Sequence, residues 1–131
     1  MSARVERLAR SSGAHMALAF IAMGTWSAFA NHAHPMPAPL IAALIQGTIS
    51  ACITLVLKGI IEGLARRLAG LAALVVPPLV AFAFSAIVLW ICHTIGGTPE
   101  IGRTIALPLT SSIFYSTLYS FDLWRTREGR G

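Results

Sequence analysis

The stretch LAALVVPPLVAFAFSAIVLWICH, residues 71–93, contains no Asp, Glu, Lys or Arg and decides the class of fold. A helix needs about 20 such residues to cross the ~30 Å hydrocarbon core of a bilayer. Three further apolar runs accompany it, and the four lie at about 14–30, 40–61, 71–92 and 104–123. Because backbone polar groups in lipid need partners and the alternation of a barrel is missing, each run is predicted to be a helix.

The predicted fold class is therefore all-α: a polytopic membrane protein in which residues 1–131 form a single domain of four transmembrane helices, arranged as two hairpins. The composition agrees, since 56% of the residues are hydrophobic and only 11% are charged, against about a quarter in soluble proteins. Cys52 and Cys92 lie at different predicted depths, so we expect them to remain free thiols.

The net charge of +5 is distributed unevenly along the chain. Most positive residues lie in the tails 1–12 and 124–131 or around the connection after the second run: Arg4, Arg7, Arg10, Lys58, Arg66, Arg67, Arg125, Arg127 and Arg130. Only Arg103 lies in the other connections. The positive-inside rule therefore predicts a protein integral to the plasma (inner) membrane with both termini cytoplasmic. The basic flanks would contact anionic lipid headgroups, and no nucleic-acid partner is expected.

The segment NHAHPMPAP, residues 31–39, separates the first two runs, and the residues before it allow two interpretations. Basic residues, an apolar run and the small residues Ala28 and Ala30 are together typical of a cleaved signal peptide, which would leave three spans. The apolar run is longer than a usual signal-peptide core, however, and Trp26 suits the interface of a retained helix. Retention of residues 1–30, and therefore four spans, is the favoured interpretation.

The same segment is also a candidate metal site. His32 and His34 would point the same way in an extended, proline-rich segment, and Met36 would add a soft ligand. His93, at the outer end of the third run, would reach the same surface. No carboxylate or thiolate accompanies these residues at ligand spacing, so a plain loop is the simpler interpretation. We expect no cofactor, with metal or haem binding at the outer face as a weaker alternative.

Polar residues recur at helical spacing in the second and fourth runs. In the second run, Gln46, Ser50 and Thr54 follow one another every four residues, beside a ridge of small residues that includes Gly47. The fourth run carries a similar stripe: Ser111, Tyr115 and Tyr119. The two stripes predict either hydroxyl-rich helix packing or a polar path through the membrane.

Two acidic residues lie near the predicted cytoplasmic ends of the second and fourth helices. Glu62 is expected to pair with Lys58 or Arg66, each one helical turn away. Asp122 is expected to pair with Arg125. The alternative is that Glu62 or Asp122 couples transport to protons or cations, because a charge kept inside a span is costly.

The connection between the third and fourth runs contains typical signals for the end of one helix and the start of the next. Gly96 and Gly97 are expected to end the third helix, and Thr98 is expected to cap the fourth. No nucleophile and base are spaced as a hydrolytic site would need, so enzymatic activity is not expected.

These features predict a small integral membrane protein that works by interaction. It would be an accessory or assembly subunit that packs against itself, as a homo-oligomer, or against a larger membrane partner. The alternative is a small oligomeric transporter or channel with its polar path between the second and fourth helices.

Overall fold

The structure is a computed structural model that describes residues 3–129, apart from the side chains of residues 4–12. It contains four α-helices: α1 (Ala3–Ala30), α2 (Ala38–Arg67), α3 (Gly70–Ile95) and α4 (Ile101–Glu128). The all-α prediction is confirmed, and each predicted apolar run lies within one helix. Four arginines used in the prediction of basic tails lie outside the described side chains: Arg4, Arg7, Arg10 and Arg130.

Helices α2 and α4 continue beyond their apolar runs, to Arg67 and Glu128. The 30 residues of α2 make a helix about 45 Å long at 1.5 Å per residue. That length matches the ~40–45 Å thickness of a bilayer with its headgroup layers. Helix α2 is therefore long enough to extend past the hydrocarbon, where a continued helix still pairs the backbone groups.

The helices form two hairpins, α1–α2 and α3–α4, that pack side by side. Helices α2 and α4 each contact the other three helices, whereas α1 and α3 do not contact each other in the described part of the chain. The centre of the bundle therefore lies between α2 and α4. The connections 31–37 and 96–100 lie at one end, which we call the loop end, and the opposite end, where α1 begins and α4 ends, is called the basic end.

Two glycines bring α1 and α2 close together. A Cβ atom added at Gly24 would lie 3.1 Å from the carbonyl oxygen of Ala43, and one added at Gly47 would lie 3.0 Å from that of Phe20. Main chain therefore approaches main chain at this crossing, as the ridge of small residues in the second run predicts.

The interior of the bundle is as polar as it is apolar, whereas the surface is apolar. In the described part of the chain, ten buried side chains are polar or charged and nine are hydrophobic. Large hydrophobic side chains are exposed on every helix, among them Leu18, Leu79 and Phe114. Exposed apolar surface of this extent is unfavourable in water. In lipid the distribution is favourable, because the acyl chains contact the apolar side chains and the largest buried polar groups, those of Asn31, Gln46 and His93, have partners inside the bundle.

Three helices in the described residues are long and apolar enough to cross a membrane: α1 in its segment Gly13–Ala30, α2 and α3. Helix α4 is long enough but does not reach the same apolarity. Its hydroxyl side chains lower its mean hydropathy, and several of them are buried against the other helices, including Thr104, Ser116 and Ser120.

Candidate functional site

A buried histidine joins α2 and α3 near the loop end. His93 is 0% exposed, and its Nε2 lies 2.8 Å from Oε1 of Gln46 on α2. Its Nδ1 lies 2.7 Å from the hydroxyl oxygen of Thr98. Because an amide oxygen only accepts, Nε2 donates to Gln46 and Nδ1 accepts from the Thr98 hydroxyl. Gln46 in turn donates to the hydroxyl of Ser50 over 2.9 Å, so one polar network runs from the loop into the bundle.

A second buried network fastens α1 to the start of α4. The Nδ2 atom of Asn31 donates to the carbonyl oxygen of Ser27 and to the hydroxyl of Thr104, each over 2.8 Å. Its Oδ1 accepts from the backbone N–H of Glu100 over 3.0 Å. Asn31 is 0% exposed, so these bonds satisfy its amide inside the protein. This one side chain connects the two hairpins.

Two further contacts between the hairpins lie at the loop end. The indole Nε1 of Trp26 donates to the carbonyl oxygen of Arg103 over 3.1 Å. His34 Nε2 lies 3.1 Å from a carboxylate oxygen of Glu100, and both side chains are partly exposed. The loop end is therefore closed by contacts from all four helices.

A cavity of about 200 Å³, which we call the central cavity, lies next to these networks. It is lined by residues from all four helices and lies between the polar stripes of α2 and α4. The polar lining residues are Gln46, Ser50, Thr54, Ser111, Ser112 and Tyr115. The apolar ones are Ala19, Met23, Ile53, Leu57, Leu89 and Pro108. Five of the six residues predicted for the two stripes therefore line one space, and Tyr119 does not.

The two polar stripes face each other across the central cavity without pairing. Gln46 and Ser50 bond to α3 and to each other, and the hydroxyl of Thr54 donates to the carbonyl oxygen of Ser50 over 3.1 Å. Within the described residues, no hydrogen bond joins these groups to Ser111 or Tyr115. The arrangement therefore differs from the direct hydroxyl packing that was one expectation for the stripes.

The lining residue Tyr115 is connected to a second tyrosine and a glutamate nearer the basic end. The rings of Tyr115 and Tyr119 stack with their centroids 5.7 Å apart, and the Tyr119 hydroxyl donates to the carboxylate of Glu62. Glu62 thus has its partner on α4. The expected ion pair of Glu62 with Lys58 or Arg66 does not occur among the described residues.

The other predicted charge pair is present, but away from the cavity. Asp122 lies 3.3 Å from the guanidinium of Arg125, and both side chains are exposed. Next to them, Arg127 donates to the carbonyl oxygens of Ala65 and Leu68, where α2 ends. Arg127 thus satisfies carbonyl groups that a helix end leaves without partners.

The structure does not bring the three candidate metal ligands together. His93 is engaged inside the bundle, His34 contacts Glu100, and His32 Nδ1 lies 2.6 Å from the carbonyl oxygen of Phe29. No group of three His, Cys, Asp or Glu side chains suited to a metal ion occurs in the described residues. Cys52 and Cys92 are free, as expected.

Several site residues were not recognised from the sequence. Asn31 accepts from the backbone N–H of Glu100, the residue directly before α4. The prediction of a Thr98 cap is wrong, because α4 begins at Ile101 and the Thr98 hydroxyl bonds to His93. Ser112 lines the cavity and lies four residues before the buried Ser116, a spacing that could have placed it on the inner face.

A helical bundle with an apolar surface, polar networks inside and three helices able to cross a bilayer defines the class: the chain is a helical membrane protein. Within that class, it matches no known protein family, no curated protein and no solved structure.

Proposed function

We propose that α4 crosses the membrane together with the other three helices. Its 28 residues give a length of about 42 Å at 1.5 Å per residue, similar to that of α2. Its exposed face is apolar, with Phe114 66% and Leu118 65% exposed, while its buried positions include Thr104 and Ser116. The mean hydropathy of α4 counts its buried hydroxyl residues equally with its surface residues. Lipid, however, contacts only the surface residues.

We propose that this protein lies in the plasma membrane with its basic end in the cytoplasm. Four antiparallel spans place both termini on one side. Arg66, Arg67, Arg125 and Arg127 lie at that end, whereas the connection 31–37 at the loop end contains no Lys or Arg. The positive-inside rule then orients the bundle.

We propose that residues 1–30 are retained. The small residues Ala28 and Ala30, which resemble a cleavage site, lie within helix α1, and Ala30 is 2% exposed. Cleavage after Ala30 would remove the helix whose Gly24 packs on α2 and would create a charged terminus at the buried Asn31. The intact mass of protein purified from membranes should therefore include residues 1–30. A mass corresponding to a chain that begins at Asn31 would show that they are removed.

The central cavity is the observation that favours a transport function. We propose that the protein binds a small, uncharged, hydrogen-bonding molecule there and carries it across the membrane. The lining holds hydroxyl and amide groups but no charged side chain, which disfavours an ion. The volume of about 200 Å³ is below the ~300–1,000 Å³ of pockets for drug-sized ligands.

The ends of the cavity have the properties that the two gates of a carrier require. Toward the loop end, the lining residue Gln46 belongs to the network with His93 and Thr98. Toward the basic end, the lining residue Tyr115 stacks on Tyr119, which bonds to Glu62. Alternating access requires that one gate opens while the other stays closed. We propose that the Tyr119–Glu62 contact opens and closes the basic-end gate and that Glu62 is the coupling group.

Solute flux into proteoliposomes tests this proposal, with urea, glycerol and erythritol as the probes. Entry followed by light scattering should be faster than in protein-free liposomes for one or more of the three. Ser111→Leu, which fills the cavity wall, should reduce that flux by about tenfold or more, as expected for closing a path with apolar volume. Thr110→Leu is the matched control, because Thr110 is exposed and bonds only to the backbone of its own helix.

The result also separates the transport proposal from its rival. If no probe enters faster than in protein-free liposomes, or if Ser111→Leu and Thr110→Leu behave alike, the transport proposal fails. An accessory or assembly subunit would not increase solute entry, with or without the substitution. Its stable association with another membrane protein in mild detergent would then be the measurement to make.

A further inference from the structure

A second cavity, of about 230 Å³, lies at the basic end between α2 and α4. It is separate from the central cavity and shares no lining residue with it. Its walls are Glu62, Ala65, Arg66, Leu123 and Arg127. Two arginines and one glutamate are therefore among the five residues that line this space, near the basic ends of α2 and α4.

One of the two arginines is held in place by the fold. Arg127 donates to the carbonyl oxygens of Ala65 and Leu68, so its guanidinium is fixed against the end of α2. These bonds use one nitrogen, Nη1, which leaves the Nε–H and Nη2–H groups able to donate elsewhere. A guanidinium that is already positioned loses little conformational freedom when it binds an anion.

The carboxylate in this cavity does not neutralise the arginines directly. Glu62 accepts a hydrogen bond from Tyr119, and within the described residues neither Arg66 nor Arg127 forms an ion pair with it. The Arg66 side chain has no hydrogen-bond partner in the described part of the chain. With two positive groups and one negative group, the walls keep a net positive charge.

We infer that this cavity binds the phosphate group of an anionic phospholipid. Arginine presents parallel N–H donors that match the oxygens of a phosphate, and here two arginines meet at the depth of the headgroups. Leu123 lines the same space, and Leu55, which is 53% exposed, lies two helical turns from Glu62 on the same face of α2, where an acyl chain would pass. The occupant is therefore a lipid rather than a free anion.

This inference needs the basic end to lie at a membrane surface, but it does not depend on transport. A cavity variant such as Ser111→Leu should leave lipid binding unchanged. Loss of solute flux and loss of lipid binding are therefore separate outcomes.

Native mass spectrometry of the full chain in an uncharged detergent tests the site. Titration with dioleoyl phosphatidylglycerol should give a first bound lipid at a concentration about tenfold lower than titration with dioleoyl phosphatidylcholine. Arg66→Gln should weaken the first phosphatidylglycerol adduct by about tenfold, the change expected when one charge-assisted contact is lost. Arg66→Lys should recover part of the affinity, since the charge remains without the planar fork.

Arg125→Gln is the matched control. It removes one positive charge from the same end, but Arg125 is exposed and already paired with Asp122, so the affinity should change less than about twofold. The inference is overturned if Arg66→Gln and Arg125→Gln weaken phosphatidylglycerol binding equally, because the lipid would then be attracted by the overall positive charge of this end and not by a defined site. It is also overturned if phosphatidylcholine binds equally well, or if millimolar inorganic phosphate displaces the lipid and so marks a site for free anions.

Discussion

Replacing His93 with alanine is expected to lower the free energy of unfolding by about 2 kcal/mol, because two buried polar atoms lose their partners. The Nε2 bond to Gln46 and the Nδ1 bond to Thr98 both disappear. Side-chain hydrogen bonds in membrane proteins average ~0.6 kcal/mol and reach ~1.7. The larger effect expected here arises because Gln46 is 0% exposed, so its oxygen stays buried without a donor.

Unfolding by titration with sodium dodecyl sulfate in mixed micelles, followed by tryptophan fluorescence, measures this effect. His32→Ala is the matched control: His32 is exposed and its ring contacts only the adjacent turn, so the free energy should change by less than about 0.5 kcal/mol. Equal stability of His93→Ala and His32→Ala would mean that the buried network does not hold the bundle together.

Replacing Gly47 with leucine is expected to destabilise the protein by about 3 kcal/mol, the upper part of the range for overpacking. The new Cβ would lie 3.0 Å from the carbonyl oxygen of Phe20, which is main chain and cannot rotate away. Helix α1 would have to move away from α2. This movement would also loosen the contact of Gly24 with Ala43.

Gly59→Leu is the control for this prediction, measured by the same detergent titration. It lies on the same helix, and a Cβ atom there would meet no atom within 4 Å. Both substitutions gain helix propensity of up to about 1 kcal/mol, so that gain cancels in the comparison. Equal stability of Gly47→Leu and Gly59→Leu would mean that α1 and α2 do not approach each other closely at Gly47.

The fold class could be predicted from the sequence because a bilayer imposes simple conditions on a chain. The uncharged run 71–93 and its three companions meet the length that a span requires, and each lies within a helix of the structure. Helix α4 is the harder case. Its hydroxyl residues lower its mean hydropathy, and only the three-dimensional packing shows that Ser116 and Ser120 face inward.

Relations between site residues on one helix could be predicted from the sequence, whereas contacts between residues on two helices could not. The spacing of Gln46, Ser50 and Thr54 placed them on one face, because helical geometry alone fixes that relation. The pairing of Gln46 with His93 depends on how far α2 and α3 slide along each other, which periodicity does not determine. Glu62 is similar: the sequence offers Lys58 and Arg66 as neighbours, but Tyr119 on another helix is the partner.

We propose that four helices cross the membrane and that the basic end lies in the cytoplasm, and single cysteines can test both statements. Single cysteines introduced at Met36 and at Gly129, in a chain without Cys52 and Cys92, test them by labelling of intact cells with an impermeant maleimide. Met36 is 70% exposed in the loop-end connection, and Gly129 directly follows α4. We expect Met36→Cys to be labelled on intact cells and Gly129→Cys to be labelled only after the cells are opened. Labelling of Gly129→Cys from outside would contradict the proposal.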